Sequence, residues 1–145
     1  MNSLLSPLAM AGQRPEGHPP YAWFIAALVV TVMLLVLDIW TGKTGRRRAH
    51  VVLVGITIPS LATAVLLAER VGTYWTLPRV PLTIHLVFAY GASVGALVAT
   101  ASGVLHLFGR VPRRRHARLA WLFVVTATLA VVTGIVMFLG GTPKV

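Results

Sequence analysis

Arg46-Arg47-Arg48-Ala49-His50-Val51-Val52-Leu53-Val54-Gly55-Ile56 decides the fold, because the chain restates its beginning later. Arg113-Arg114-Arg115-His116-Ala117-Arg118 is again followed by an apolar run. A basic turn, a histidine and then a plunge into hydrophobic sequence is the start of a membrane-spanning helix. Finding the pattern twice predicts two similar hairpins.

Composition supports the membrane class. Of the 145 residues 57% are hydrophobic and 11% charged, too much apolar surface for a water-soluble domain of this length. Without cysteine there is no disulfide, iron–sulfur cluster or thiolate haem ligand. The net charge of +10 does not point to nucleic acid, since nine of the thirteen basic residues crowd into two short loops between apolar segments. That placement is an orientation signal and a contact for anionic lipid at Arg46, Arg47, Arg48, Arg113, Arg114 and Arg115.

Four apolar segments are predicted at 21–40, 51–68, 82–107 and 119–139. Each reaches the roughly 18–20 residues that a helix needs to cross a ~30 Å hydrocarbon core, and open strands would leave backbone groups unpaired in lipid. The fold class is therefore all-α: an integral membrane up-down four-helix bundle of two hairpins in residues 21–145. Residues 1–20 read as a polar tail without the basic leader of a cleaved signal peptide. Nine basic residues in the two loops, against Arg14, Arg70, Arg79 and Lys144 opposite, put the loops in the cytoplasm and both termini outside. Tyr21, Trp23, Tyr74 and Trp75 mark the outer boundary, Trp40 and Trp121 the inner one. Overlaying His50 on His116 brings Ala64-Val65 onto Ala130-Val131, a weak match that suits a pseudo-two-fold axis along the membrane normal.

Histidine carries the candidate chemistry, because a neutral imidazole ligates haem iron or copper without bringing charge into lipid. His50, His106 and His116 share the cytoplasmic level, whereas His85 lies near the outer end of the third segment. From His85 to His106 a helix turns through about 2100°, leaving the two within ~60° of one face. One reading is a bis-histidine b-type haem near the cytoplasmic surface, most simply between His50 and His116, with alternative pairings through His106. The other is that interfacial histidines beside arginines are headgroup contacts or helix-end residues, and that no cofactor binds. His85, within an apolar segment, needs a partner: a hydrogen bond to a neighbouring helix or a ligand. His18 reads as a solvated tail residue.

Three further features belong to the same reading. Gly91, Gly95, Ala99 and Gly103 form a small-residue stripe for close helix packing, or make room for a flat macrocycle. Asp38, an acid within an apolar run, is expected to reach Lys43 or Arg46–Arg48. Pro59 is expected to kink its helix. No nucleophile–base pair, phosphate loop or zinc-hydrolase motif is present, so a hydrolase or kinase is not expected.

From Arg46 onward the chain resembles the uncharacterised four-helix membrane family numbered 420 among the domains of unknown function. The likeness rests on His50 after its basic turn, Thr83-Ile84-His85-Leu86, Arg114-Arg115-His116-Ala117-Arg118, and the run ending Val132-Thr133-Gly134-Ile135-Val136-Met137-Phe138. It covers about two thirds of the chain. The resemblance implies that His50, His85 and His116 are the histidines of interest, with His106 secondary. It also implies a role in assembly or support of haem–copper terminal oxidases. Together these readings lead to a multi-pass protein of a bacterial inner membrane, an accessory subunit or assembly factor of a respiratory electron-transfer complex, with at most one haem b. The competing expectations are a cofactor-free subunit filling a seam in a respiratory or photosynthetic complex, and a small transporter.

Overall fold

The computed structural model describes residues 18–144. The polar tail predicted at 1–20, and Arg14 with it, therefore lies outside the described residues apart from its last three, where His18 is exposed. Four helices follow: α1 Tyr21–Lys43, α2 Arg47–Gly72, α3 Arg79–Leu107 and α4 Arg113–Leu139. Each is long and apolar enough to span a bilayer. The protein is a multi-pass, all-helical membrane bundle.

Local sequence sets the helix limits. Pro20, Pro78 and Pro112 stand at the N-caps of α1, α3 and α4, where a missing N–H costs nothing. At the other end α1 and α3 stop in the same way. Gly45 (φ 72°) and Gly109 (φ 73°) take left-handed backbone, and the following residue donates back across the turn, Arg46 N to Thr41 O at 3.0 Å and Arg110 N to Leu105 O at 2.9 Å. This glycine stop lets each chain leave its helix within a few residues.

The observed helices run past five of the predicted limits, α2 ending at Gly72 and α3 beginning at Arg79. α1 continues to Lys43, while α2 and α4 begin at Arg47 and Arg113, so the arginines form the first turn and His50 and His116 sit one turn inside. The polarity of arginine ends the apolar window without ending the helix. α2 also runs through Pro59 without interruption. The loss of one backbone bond is tolerated where neighbouring turns hold.

Packing is closest within hairpins, α1 on α2 and α3 on α4. A Cβ built on Gly95 would lie 3.3 Å from the Phe123 Cα, and one on Gly91 would lie 3.9 Å from Thr126 Cγ2. α4 therefore occupies the glycine stripe. This overturns the notion that the stripe leaves a slot for a macrocycle; its purpose is close approach of two backbones. Leu35, Ile58 and Leu61 of the first hairpin pack against Ala96, Ala99 and Phe123 of the second. Large apolar side chains such as Met33, Leu66, Leu97 and Ile135 point outward, as lipid-facing residues do.

The ends of the bundle are tied differently. At the end where α1 begins and α4 finishes, Trp75–Thr76 (β1) pairs antiparallel with Thr142–Pro143 (β2), and Trp75 Nε1 donates to the Tyr21 hydroxyl at 2.8 Å. The hydropathy pattern does not announce this two-residue ribbon. At the opposite end lie both basic loops, with Arg46 over the Trp40 ring at 4.5 Å and Lys43 over Trp121 at 5.8 Å.

Because Phe123 backbone meets Gly95, Gly95→Leu is expected to wedge α3 from α4 and lower stability by about 1–3 kcal/mol. Thermal unfolding in detergent measures it. Gly55→Ala, where the added methyl meets open space, is expected to leave the midpoint unchanged or slightly raised.

Candidate functional site

Three of the four membrane histidines are held by one local device. A hydroxyl residue followed by glycine stands on the facing helix; the glycine leaves room for the imidazole, and the ring Nδ1 turns to the hydroxyl or to the carbonyl three residues before it. For His50 the seat is Thr41-Gly42 on α1. A Cβ on Gly42 would lie 3.4 Å from His50 Cε1, and Nδ1 donates to the Asp38 carbonyl at 3.1 Å, with the Thr41 hydroxyl at 3.4 Å. For His116 it is Ser102-Gly103 on α3, where a Gly103 Cβ would lie 3.1 Å from His116 Cε1. Ser102 Oγ gives its proton to the Ala99 carbonyl at 2.8 Å and accepts from His116 Nδ1 at 3.0 Å.

The third seat is Thr133-Gly134 on α4, and it serves His85. The Gly134 position lies 3.1 Å from His85 Cε1; Nδ1 donates to Ala130 O at 3.0 Å, with Thr133 Oγ1 at 3.5 Å. His106 is held otherwise, by donation from Nδ1 to Val111 O at 2.8 Å in the loop after α3. Each of these bonds consumes an Nδ1–H, because a carbonyl, or a hydroxyl that has already donated, can only accept. In the neutral imidazole this leaves Nε2 bare at all four. No Nε2 among them has a hydrogen-bond partner among the described residues. Anchoring Nδ1 on a protein acceptor is how metal-ligating histidines are oriented.

Placement agrees in part with the sequence expectations. His50, His106 and His116 gather at the basic end: the His50 and His116 ring centres are 6.4 Å apart with planes at 65°, and His106 and His116 are 6.1 Å apart and nearly parallel. His85 stands near the other end of α3 against α4, so it does not join them. No group of three or more His, Asp or Glu side chains among the described residues is arranged to hold a metal ion. His50 and His116 are the two of these rings that come from the N-terminal turns of α2 and α4. Two axial imidazoles on one haem iron, with metal–nitrogen bonds of about 2.0–2.1 Å, hold their ring centres roughly 6 Å apart. The 6.4 Å separation of the His50 and His116 ring centres matches that spacing.

Asp38 corrects another expectation. It reaches neither Lys43 nor the arginines. It is 8% exposed, its Oδ2 accepts from the Thr57 hydroxyl of α2 at 2.7 Å, and Oδ1 is buried without a partner. The sequence placed the acid next to cations in order, but the helix turns it inward onto α2. Its backbone carbonyl also receives His50 Nδ1–H, so one residue joins α1 to α2 twice.

The hydroxyl–glycine seats escape a search restricted to ligand types. The signal was present: Thr41-Gly42, Thr44-Gly45, Ser102-Gly103 and Thr133-Gly134 are the four Ser/Thr-Gly pairs in the chain. Three seat a histidine and one forms a turn. Comparison with family models, curated proteins and solved structures shows no match to this chain.

The geometry predicts that nitrogen-15 NMR at alkaline pH finds the imidazole proton on Nδ1 in all four membrane histidines. A proton on Nε2 of His50 or His116 contradicts the assigned bonding. Ser102→Ala removes the His116 acceptor and is expected to cost about 0.5–1.5 kcal/mol of stability while releasing that tautomer alone.

Proposed function

We propose that this chain is a small accessory subunit or assembly factor of a respiratory electron-transfer complex, holding one b-type haem between His50 and His116. One observation carries the reading: two imidazoles from different hairpins, each pinned through Nδ1 by a hydroxyl–glycine seat, stand 6.4 Å apart. Bound there, a haem would supply one-electron chemistry. The chain's own part is to fix the two rings in the ligating tautomer and to hold the site at one membrane surface. No catalytic side-chain constellation is invoked, and the role is electron transfer or cofactor handling, not turnover of a substrate.

The proposed setting is a bacterial inner membrane with the basic loops toward the cytoplasm, the orientation favoured by lysine and arginine distribution. The guanidinium groups of Arg48, Arg110, Arg114, Arg115 and Arg118 make no hydrogen bond or ring contact among the described residues. They suit contact with anionic lipid, and Arg46 and Arg113 lie beside them. Kinship with the 420 family, and through it with haem–copper oxidase assembly, belongs to the same proposal and rests on the arginine–histidine pattern.

His116 stands between His50 and His106, at 6.4 and 6.1 Å, so the expected responses to substitution are unequal. Purified from haem-replete membranes, the full chain is expected to show a Soret band and the sharp reduced spectrum of a six-coordinate b-type cytochrome. His116→Ala should abolish it. His50→Ala should lose the six-coordinate spectrum unless His106 replaces it, and His106→Ala and His85→Ala should leave it unchanged. Absence of a Soret band in the parent protein, before and after addition of ferric haem b, overturns the haem. Co-purification with a large complex in its absence would support the cofactor-free structural role instead.

A further inference from the structure

We propose that Arg47 and Arg113 are the positioning residues of the histidine pair, each reaching across the seam between hairpins to the end of the other hairpin's first helix. The proposal rests on reading His50 and His116 as a shared ligand site, but its geometry is independent of any cofactor. Arg47 of α2 donates from Nη2 to the Leu107 carbonyl at the end of α3, 3.2 Å away. Arg113 of α4 donates from Nη2 to the Gly42 carbonyl in the last turn of α1, 3.3 Å away. The two bonds are reciprocal, and they join the hairpins where the imidazoles meet.

Register argues that this is more than the general charge of the loops. Arg47 is the second arginine of its triplet and Arg113 the first of its own, because Ala49 stands between the first triplet and its histidine. What they share is distance from the ring: each precedes its histidine by three residues, one helical turn. The bonding thus follows the histidine and not the order within the triplet. The neighbours Arg48, Arg114 and Arg115 make no such bond among the described residues.

The acceptors have a matching logic. The last carbonyls of a helix lack donors from their own backbone and carry its negative pole, and a guanidinium is long and rigid enough to reach them across a seam. Gly42 is also the residue whose missing side chain seats His50. Arg113 therefore ties the first turn of the His116 helix directly to the His50 seat. Arg47, one turn before His50, is tied to the residue after His106. The two bonds set the spacing of the three rings.

The test uses the full chain in lipid nanodiscs with two readouts. Spin labels on Val52→Cys and Ala117→Cys, both exposed positions in a chain without cysteine, report the α2–α4 distance by pulsed electron resonance without cofactor. Titration with ferric haem b reports retention. Arg47→Gln with Arg113→Gln is expected to broaden the distance distribution and weaken haem retention roughly tenfold. The corresponding lysine pair should recover most of both. Arg48→Gln with Arg114→Gln, which removes the same charge, should change neither.

An unaltered distance distribution in the glutamine pair overturns the proposal, as does an equal effect in the control pair. A broadened distribution with undiminished haem retention overturns it too, leaving the arginines a structural role alone. If the parent protein takes up no haem, the functional reading fails; the distance measurement still decides whether Arg47 and Arg113 set the spacing.

Discussion

An imidazole at a helix–helix seam in lipid has to find an acceptor for its N–H within the protein, since no water competes for the bond. That requirement organises this bundle. His50, His85 and His116 satisfy it in one way, by pressing Cε1 against a glycine and turning Nδ1 to the hydroxyl or carbonyl beside it. A side chain at that glycine would close the seat: at Gly103 and Gly134 a Cβ lies 3.1 Å from the ring. The same bond fixes the tautomer of the neutral ring, so packing decides which nitrogen is bare. It also joins α1 to α2 and α3 to α4, making each hairpin a unit.

The two hairpins then meet as near-equivalents. Both leave their first helix through a left-handed glycine, both send an arginine across the seam, and both present a histidine one turn later. The resemblance is strongest at the basic end. At the other end the second hairpin has His85 seated on α4, whereas in the first the polar contact between α1 and α2 is Thr31 with Ser60 at 2.7 Å. The symmetry is therefore local, confined to the end where the rings of His50 and His116 meet.

Topology was legible in the sequence because lipid enforces it: spans of apolar residues flanked by arginine leave few alternatives to four antiparallel helices. The meeting of His50 and His116 was legible for the same reason, through their shared place behind basic turns. The seats were not, because pairing Ser102-Gly103 with His116 requires the rotational register of α3 on α4, which apolar periodicity in a uniformly hydrophobic helix does not define. Asp38 was misread on proximity in sequence; its direction depends on helix phase, which turns it to Thr57. The β1–β2 ribbon is too short for any periodic signal. The small-residue stripe was read correctly as a packing surface, but its alternative role required knowing that Phe123 lies across Gly95.

One iron shared by His50 and His116 is the proposed arrangement. Low-temperature electron paramagnetic resonance of the ferric, haem-loaded protein addresses it most directly, because the signal reports the iron's axial ligands. A low-spin spectrum of bis-imidazole type, lost in His116→Ala, is the predicted result. A high-spin spectrum in the parent protein, or a low-spin one that persists without His116, would contradict the account.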